Sequence, residues 1–549
     1  MPSAFPAALL LPADAFDTAQ HQLLGRRVAG RSFAEGIAQQ LRAGEQLTLL
    51  VTSVAERTLL KNLLAPLLPA DSQLLFRFGI PDDALTTTGA LHVPDPGLAK
   101  WVLLRSGHCS NAFSLTGVIH TLSSQSVYES LANLLTAPLQ PWDALICTSR
   151  AGREVVQLAI AHHHEALQRR FGCSLPHPQG PCLPLIPLAV ADSLAKTNLT
   201  RQELRRQARH LLGIPQDAYV ILFVGRLSFH SKAHPLLLYR AMARLIQNAP
   251  NAFLIECGHI FNQSVADAFT QLQSLFTNVP RICLGGLNPA TEDEKSQALA
   301  AADIFVSPAD NLQETFGLSV IEAMAAELPV VVSDWSGYRD LVINEHTGFL
   351  IPTSMVQGSK QQLDSTDKSY MLGFLNYDTY VGLRSLEVVV DEDAFVQALL
   401  LLHRQPDLRV AFGANGRLRW QQLFCWNVVA AQYRSLWEEL AGIRVNYSNS
   451  ELTSSHVAPT AKLFSGYASN SFEHRVLHRP PSATPVNLLR QTTQHAFFSS
   501  LCGPHFEELL NFIETHDCLT YQQLIDMGID ANNSMVVLSA LVKFGVMKP

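Results

Sequence analysis

Apolar positions along the chain fall into short runs that alternate with longer stretches of helical spacing. Ala7–Pro12 is the first run and is read as a strand; GRRVAGRSFAEGIAQQLRAG follows with a helix period and stops at Gly44. Leu47–Val51 is the next strand candidate. Trp101–Leu104, Gly117–His120 and Asp143–Thr148 are read as further strands, and SRAGREVVQLAIAHHHEALQRR as the helix after the last of them. Pro184–Val190 closes this half as a final strand. Strands alternating with helices predict a parallel, doubly wound sheet.

A second series starts after the arginine-rich helix TRQELRRQARHLLGIP. Ala218–Val224 (AYVILFV) has the unbroken apolar character of a strand buried on both faces. A helix through LLLYRAMARLIQNAP, strands AFLIECG and RICLGG, helix EKSQALAAA, strand DIFVSP, helix GLSVIEAMAAE and strand PVVVSD complete a second α/β domain. Two such domains leave a cleft between them, where open α/β sheets bind ligands. The expected organisation is 1–195, an N-terminal Rossmann-like domain, and 196–440, a second one. The second carries a polar surface insertion at about 353–375 and a helix, 426–440, that crosses back to the first. Residues 441–490, rich in Ser, Thr, Asn and Pro, read as a linker, and 491–549 as a small helical domain.

Composition narrows the function classes. A chain of 549 residues with 47% hydrophobic and 16% charged residues is too long for one core and too apolar for disorder. A net charge of -7 argues against a nucleic-acid-coating protein. Nine scattered cysteines without a C-x-x-C pair read as reduced thiols, not structural zinc. No apolar run reaches the ~18 residues of a membrane span, and no basic region precedes Asp14, so a cytoplasmic protein without signal peptide is expected.

The candidate chemistry lies in two motifs. In NLQETFGLSVIEAMAAELPVVVSD, Glu314 stands in a loop and Glu322 within the first turns of a helix. Phe316, Gly317 and Leu318 form the helix start, where free N–H groups and a partial positive charge suit a phosphate. Upstream, the strand ending at Val224 runs into Gly225, Arg226, Leu227 and, after a short loop, Lys232.

With both motifs in this order the chain resembles the retaining, nucleotide-sugar-dependent glycosyltransferases of family 4, over roughly residues 1–440 and most strongly Leu212–Pro352. The resemblance implies a GT-B fold, two facing Rossmann-like domains, and transfer of a hexose from an NDP-sugar to an acceptor hydroxyl. It implies that Glu314 positions the hexose and Glu322 the ribose. The amides of Phe316, Gly317 and Leu318 would hold the diphosphate, and Arg226 and Lys232 would neutralise it without a metal or other cofactor. His120, at the end of a strand, resembles the family's histidine that reaches the donor sugar from the first domain. The Gly25–Gly30 segment resembles the glycine loop facing the donor phosphates, so Gly30 is placed in the donor site. This chain departs from the family at Thr121, which follows the histidine, and at Glu327, where a glycine is usual.

Implied partners are the nucleotide sugar and a carbohydrate, lipid or protein acceptor, with no nucleic acid. Arg201, Arg205 and Arg209, on one helix face, are read as solvated interdomain charges, with a membrane or acceptor contact as the alternative. The C-terminal helices are read as a docking piece for a protein partner, as a peripheral contact at the inner membrane face, or as a cap on the acceptor site. Two rivals share the architecture: a nucleotide-sugar epimerase and a non-catalytic sugar-nucleotide-binding scaffold.

Overall fold

The computed structural model describes residues 3–17, 25–79, 82–106, 108–192, 199–356, 358, 362–447, 457–491 and 495–549. The chain divides into two compact units, Met1–His456 and Val457–Pro549.

The first unit contains two parallel sheets. One is built from β1 (Ser3–Ala4), β2 (Ala8–Leu10), β3 (Glu45–Val51), β4 (Gln73–Phe78), β5 (Ala90–Val93), β6 (Ser114–Val118) and β7 (Ala144–Ile146). Its order is β1-β3-β2-β5-β6-β7, with β4 also on β3. The other is built from β8 (Tyr219–Arg226), β9 (Ala252–His259), β10 (Arg281–Gly286), β11 (Ile304–Ser307), β12 (Val330–Ser333) and β13 (Gly348–Ile351), in the order β10-β9-β8-β11-β12-β13. In each sheet the chain first builds outward one way and then the other, so strand order reverses between β2 and β5 and between β8 and β11. Loops leaving a sheet at such a point diverge and open a crevice. This is the two-domain Rossmann-like arrangement of the GT-B fold.

Several elements differ from expectation. Trp101–Leu104 is not a strand: Leu98–Trp101 is helical and Val102–Arg105 a 3-10 turn. Leu98 and Val102, four apart, are both buried, and Arg105 pairs with Asp143 in the interior. The strand at this point is β5, which Pro94 ends. Pro184–Val190 runs beside β7 but makes no continuous ladder. Cys147 N–H donates to Pro184 O at 2.8 Å and Ile186 N–H to Cys147 O at 3.0 Å, while Pro181, Pro184 and Pro187 have no N–H to give.

Arg201 and Arg209 are not solvated charges. Arg209 is fully buried, donating to Ala301 O at 3.0 Å, to Gln216 O and Ala218 O, and to Asp303 at 2.8 Å. Arg201 donates to the carbonyls of Leu299, Ala300 and Ala302. Arg205 pairs with Asp303 at 2.7 Å. The arginine face therefore caps the C-terminus of the helix Glu292–Ala301, where carbonyls lack partners and the dipole favours cations.

Glu327, at the position where the family has glycine, takes φ 60°, a left-handed conformation that costs a side-chain-bearing residue about 1–2 kcal/mol. The expected insertion begins as β14 (Thr353–Met355) and returns as β15 (Val388–Val390), with helices Ser365–Met371 and Tyr377–Ser385 between them. Residues 357 and 359–361 of it lie outside the described residues.

The helix Trp426–Val445 packs into the core of the first sheet's half: Trp426, Val429, Tyr433, Leu436, Trp437 and Leu440 join Leu9, Ile37, Leu47 and Leu49 in one cluster. Trp437 donates its indole N–H to Thr116 Oγ1 at 3.1 Å, and the Trp426 ring fills the space that a side chain at Gly36 would need.

The second unit starts earlier than the expected 491. Residues 448–456 of the expected linker lie outside the described residues, but β16 (Val476–His478) pairs antiparallel with β17 (Cys518–Thr520). Leu477, Val486 and Leu489 are buried with Leu509, Leu538 and Leu541 in a core of its own. Polar composition hid this strand because Val476 and His478 on either side of Leu477 are exposed.

The crossing helix predicts a measurable dependence. Trp437→Ala lowers the unfolding free energy by about 3–5 kcal/mol, the usual cost of deleting a buried indole, read from the urea midpoint of the full chain.

Candidate functional site

The two reversal points face one cavity of about 880 Å³, within the range of ligand clefts. The first sheet's half lines it with Gly25 and Arg26 after β2, Pro94–Gly97 after β5, and Ile119 and His120 after β6. The second half lines it with Gly225 and Arg226 at the end of β8 and Lys232 after it, Gly258 and His259 at the end of β9, and residues 313–319 and Glu322 after β11. Of the residues singled out in the sequence, Glu314, Glu322, Gly225, Arg226, Lys232, Phe316, Gly317, Leu318 and His120 meet here. Gly30 does not line the cavity. A side chain there would strike Ala15 O, so Gly30 serves the packing of the helix Gly25–Gln39 against the Ala13–Phe16 turn.

The centre is a buried charge cluster. Lys232 Nζ donates to Glu314 Oε2 and, at 3.2 Å, to Tyr338 Oη; Tyr338 Oη donates to Glu314 Oε2 at 3.2 Å and lies 2.7 Å from Ser307 Oγ. Burial opposes both charges, but their mutual attraction and the bonds to Tyr338 together outweigh it: the Lys232 ammonium is raised and the Glu314 carboxyl lowered from their ordinary values. Both are ionised at neutral pH. Tyr338 is held protonated, its phenol raised by burial and by Glu314.

Gly317 opens the helix Leu318–Ala325 with φ 115°, and a side chain on it would collide with the Tyr338 ring, so both conformation and space require glycine. The same helix presents Glu322, which Lys295 meets at 3.1 Å. Burial opposes the Lys295 charge, but Glu322 raises its ammonium above the ordinary value. Arg226 is anchored by Gln313 Oε1 at 2.7 Å and Ser231 O at 3.1 Å, with burial drawing its pKa down. Both bonds come from Nη2, and the residue lines the cavity.

The two halves touch across the cleft through Thr315. Its hydroxyl donates to His120 O at 2.7 Å, and its own carbonyl accepts from Ser149 Oγ at 2.7 Å. At the rim Arg150 pairs with Asp340. His120 and Glu314 both line the cavity, and the bond from Thr315 to His120 O holds their backbones side by side. Burial and the nearby Arg26 push that imidazole down to about 4, against Asp95 and a Pro94 backbone bond, so it is neutral at pH 7.

Tyr338, Lys295, Asp95, Thr315 and Tyr377 are site residues that the motifs do not mark. The first two have partners 24 and 27 residues away, a distance without a local spacing rule. Among the described residues no helix is long and apolar enough to cross a membrane.

Comparison with known proteins bears on the same segment. Residues 205–369 match the family model described as glycosyl transferases group 1. The chain is similar to D-inositol 3-phosphate glycosyltransferase of Streptosporangium roseum, 32% identical over 164 residues, which is 28% of this chain and 35% of that protein. It is similar to phosphatidyl-myo-inositol mannosyltransferase of Mycobacterium tuberculosis, 25% identical over 237 residues, or 43% of this chain and 51% of that one. The matches thus span about half or less of these curated relatives. Among solved structures, Anabaena Alr3699/HepE in complex with UDP superposes with a TM-score of 0.51 at 15% identity, covering 79% of this chain and all of that one, which speaks for the fold.

The neutral histidines give a pH dependence. His120 titrates at about 4 and the buried His92 at about 3, against an ordinary 6.5. From about 6.5 down to about 4 for His120 and about 3 for His92 the unfolded chain takes up protons that the folded chain does not, so stability is full above 6.5 and is lost as pH falls through that window. Urea midpoints should fall accordingly, and His92→Gln should make the slope shallower.

The segment that holds Arg226, Lys232, Glu314 and Glu322 is thus the one that matches the group 1 glycosyl transferases, on a GT-B fold.

Proposed function

We propose that the protein is a retaining glycosyltransferase of family 4 type that moves a hexose from an NDP-sugar to an acceptor hydroxyl. The observation that supports it is the convergence of Arg226, Lys232, Glu314 and Glu322 with the start of the helix Leu318–Ala325 on one cavity. The diphosphate lies against the amides at Phe316, Gly317 and Leu318. Glu322 takes the ribose hydroxyls, and Glu314 and His120 take hydroxyls of the hexose, the neutral imidazole being able to donate and accept. Arg226 and Lys232 stabilise the charge that grows on the phosphate as the bond from C1 to the phosphate oxygen breaks. The acceptor oxygen bonds to C1 on the same face, and its proton passes to the leaving phosphate oxygen. With two cations fixed in this way the reaction uses no divalent metal. The acceptor is a carbohydrate, lipid or protein hydroxyl, and the enzyme works in the cytoplasm.

In the cleft Lys232 Nζ donates to Glu314 Oε2. Donor binding therefore exchanges one ion pair for two sets of contacts, ammonium to phosphate and carboxylate to sugar hydroxyls. That exchange keeps each charge compensated, which a buried ion requires.

The test is NDP release and product analysis over a panel of nucleotide sugars. The wild type should release NDP from at least one donor and yield a glycosylated acceptor with retained configuration. Lys232→Met and Glu314→Gln together should lower turnover by about 10²–10³-fold, the size of losing charge stabilisation in a transition state, while the paired change leaves neither ion uncompensated. Turnover undiminished in the double variant contradicts the assignment, and an altered NDP-sugar formed without acceptor marks an epimerase.

A further inference from the structure

The insertion between β14 and β15 is not a passive surface loop. Its first helix, Ser365–Met371, points Tyr370 at the first sheet's half, where the phenolic oxygen accepts from Gln125 N–H at 3.0 Å. Its second helix starts at Tyr377, whose hydroxyl lies 2.9 Å from Ser123 Oγ and whose side chain lines the cavity. One residue on, Asp378 stands 3.8 Å from His230, in the loop between Arg226 and Lys232. The hairpin thus bridges the cleft, touching the loop before the helix Gln125–Asn133 on one side and the cation loop on the other.

It is also built to hold its shape. The Tyr370 and Tyr380 rings stack at 4.2 Å and 10°. Arg384 donates to Asp364 at 2.6 Å, Asp367 at 2.8 Å and Glu387 at 2.5 Å, and its guanidinium lies over the Tyr380 ring. An arginine shared by three carboxylates ties the start of the first helix to the end of the second and to the residue before the return strand.

Gln125 is the first residue of its helix, and its N–H is one of those that a helix cannot satisfy internally. Tyr370 supplies the acceptor from 245 residues away. The face of that helix turned to the cavity carries Ser126, Ser130 and Asn133, beside Ser124, Asp95 and Lys100. Hydroxyls, an amide, a carboxylate and an ammonium are the partners that sugar hydroxyls use. Val127 is the one large aliphatic side chain that this helix adds to the wall, too little to cover an acyl chain.

Resting on the transferase reading above, we propose that the 364–387 hairpin forms the acceptor-side wall of the cleft and seats a polyhydroxylated acceptor against the helix Gln125–Asn133. Tyr377 is its specificity-determining residue, in reach of the acceptor beside Arg226. Tyr370 is a positioning residue, acting through the start of that helix.

The experiment uses the full chain, wild type and Tyr370→Phe, which keeps the ring stack and removes one hydroxyl. Hydrogen exchange is followed across 125–133 and, as a control, across 228–234. NDP release is followed from UDP-glucose, GDP-mannose and UDP-N-acetylglucosamine, without acceptor and with glucose, mannose, fructose, myo-inositol or 1-octanol. Loss of one buried hydrogen bond should speed exchange in 125–133 by about tenfold with the control unchanged. It should raise the KM for the preferred polyol roughly five- to tenfold, with kcat and acceptor-free release within about twofold. Tyr377→Ala should change the rank order among the polyols. Unchanged exchange and unchanged acceptor KM in Tyr370→Phe, or 1-octanol used in preference to every polyol, overturn the proposal alone. No NDP release from any donor by the wild type overturns the transferase reading and this proposal with it.

Discussion

A lysine ammonium and a glutamate carboxylate, buried together at the mouth of a parallel sheet, set the terms for the rest of the structure. Neither Lys232 nor Glu314 could stay charged there alone, because removing an ion from water costs several kcal/mol even after relaxation. Each is tolerated because the other is present and because the Tyr338 hydroxyl, itself held by Ser307, hydrogen-bonds to both. The pair is 82 residues apart in sequence and is brought together because β8 and β11 are neighbours across the reversal of strand order. A sheet wound in another order would leave the two loops that carry these ions apart. Topology and electrostatics are therefore one constraint: the same reversal opens the cleft and supplies its charges.

Facing halves are useful only if held in register. The helix Trp426–Val445 does this from behind, giving its apolar face to the first sheet's core although it follows the second sheet in sequence. Thr315 does it from within, bonded to His120 O and accepting from Ser149, immediately beside Glu314. The 364–387 hairpin does it at the mouth. The three differ in strength. The helix buries a continuous hydrophobic face, whereas the cleft contacts are single hydrogen bonds worth about 1 kcal/mol each, weak enough to exchange as a ligand enters.

How much of this was legible in the sequence follows from where the apolar residues sit. The central strands of the second sheet, β8, β11 and β12, are buried on both faces, so AYVILFV and PVVV stand out as unbroken apolar runs, and their order implies a parallel sheet. The first sheet was harder. β5 is four residues long and ends at proline, and W-V-L-L, apolar throughout, reads as a strand although Leu98 and Val102 are buried at a helical spacing. The paired glutamates and the Arg226/Lys232 element were readable because each sits at a strand-to-helix transition with a fixed local spacing. Gly30 was misplaced because a glycine beside arginines looks like a phosphate loop, while its role is close packing on Ala15. Tyr338, Lys295, Thr315 and Tyr377 act on partners far away in sequence, and no periodicity encodes such pairs.

The central claim is that Arg226, Lys232 and the start of the helix Leu318–Ala325 form a diphosphate site that opens when Glu314 releases Lys232. Calorimetric titration of the wild type with UDP, GDP and ADP, each compared with its parent nucleoside, measures it directly. For one base at least, the diphosphate should bind about 10²-fold or more tightly than its nucleoside, the worth of two charge-assisted contacts, and the difference should shrink with added salt. Equal affinity for diphosphate and nucleoside across all three bases would contradict the account.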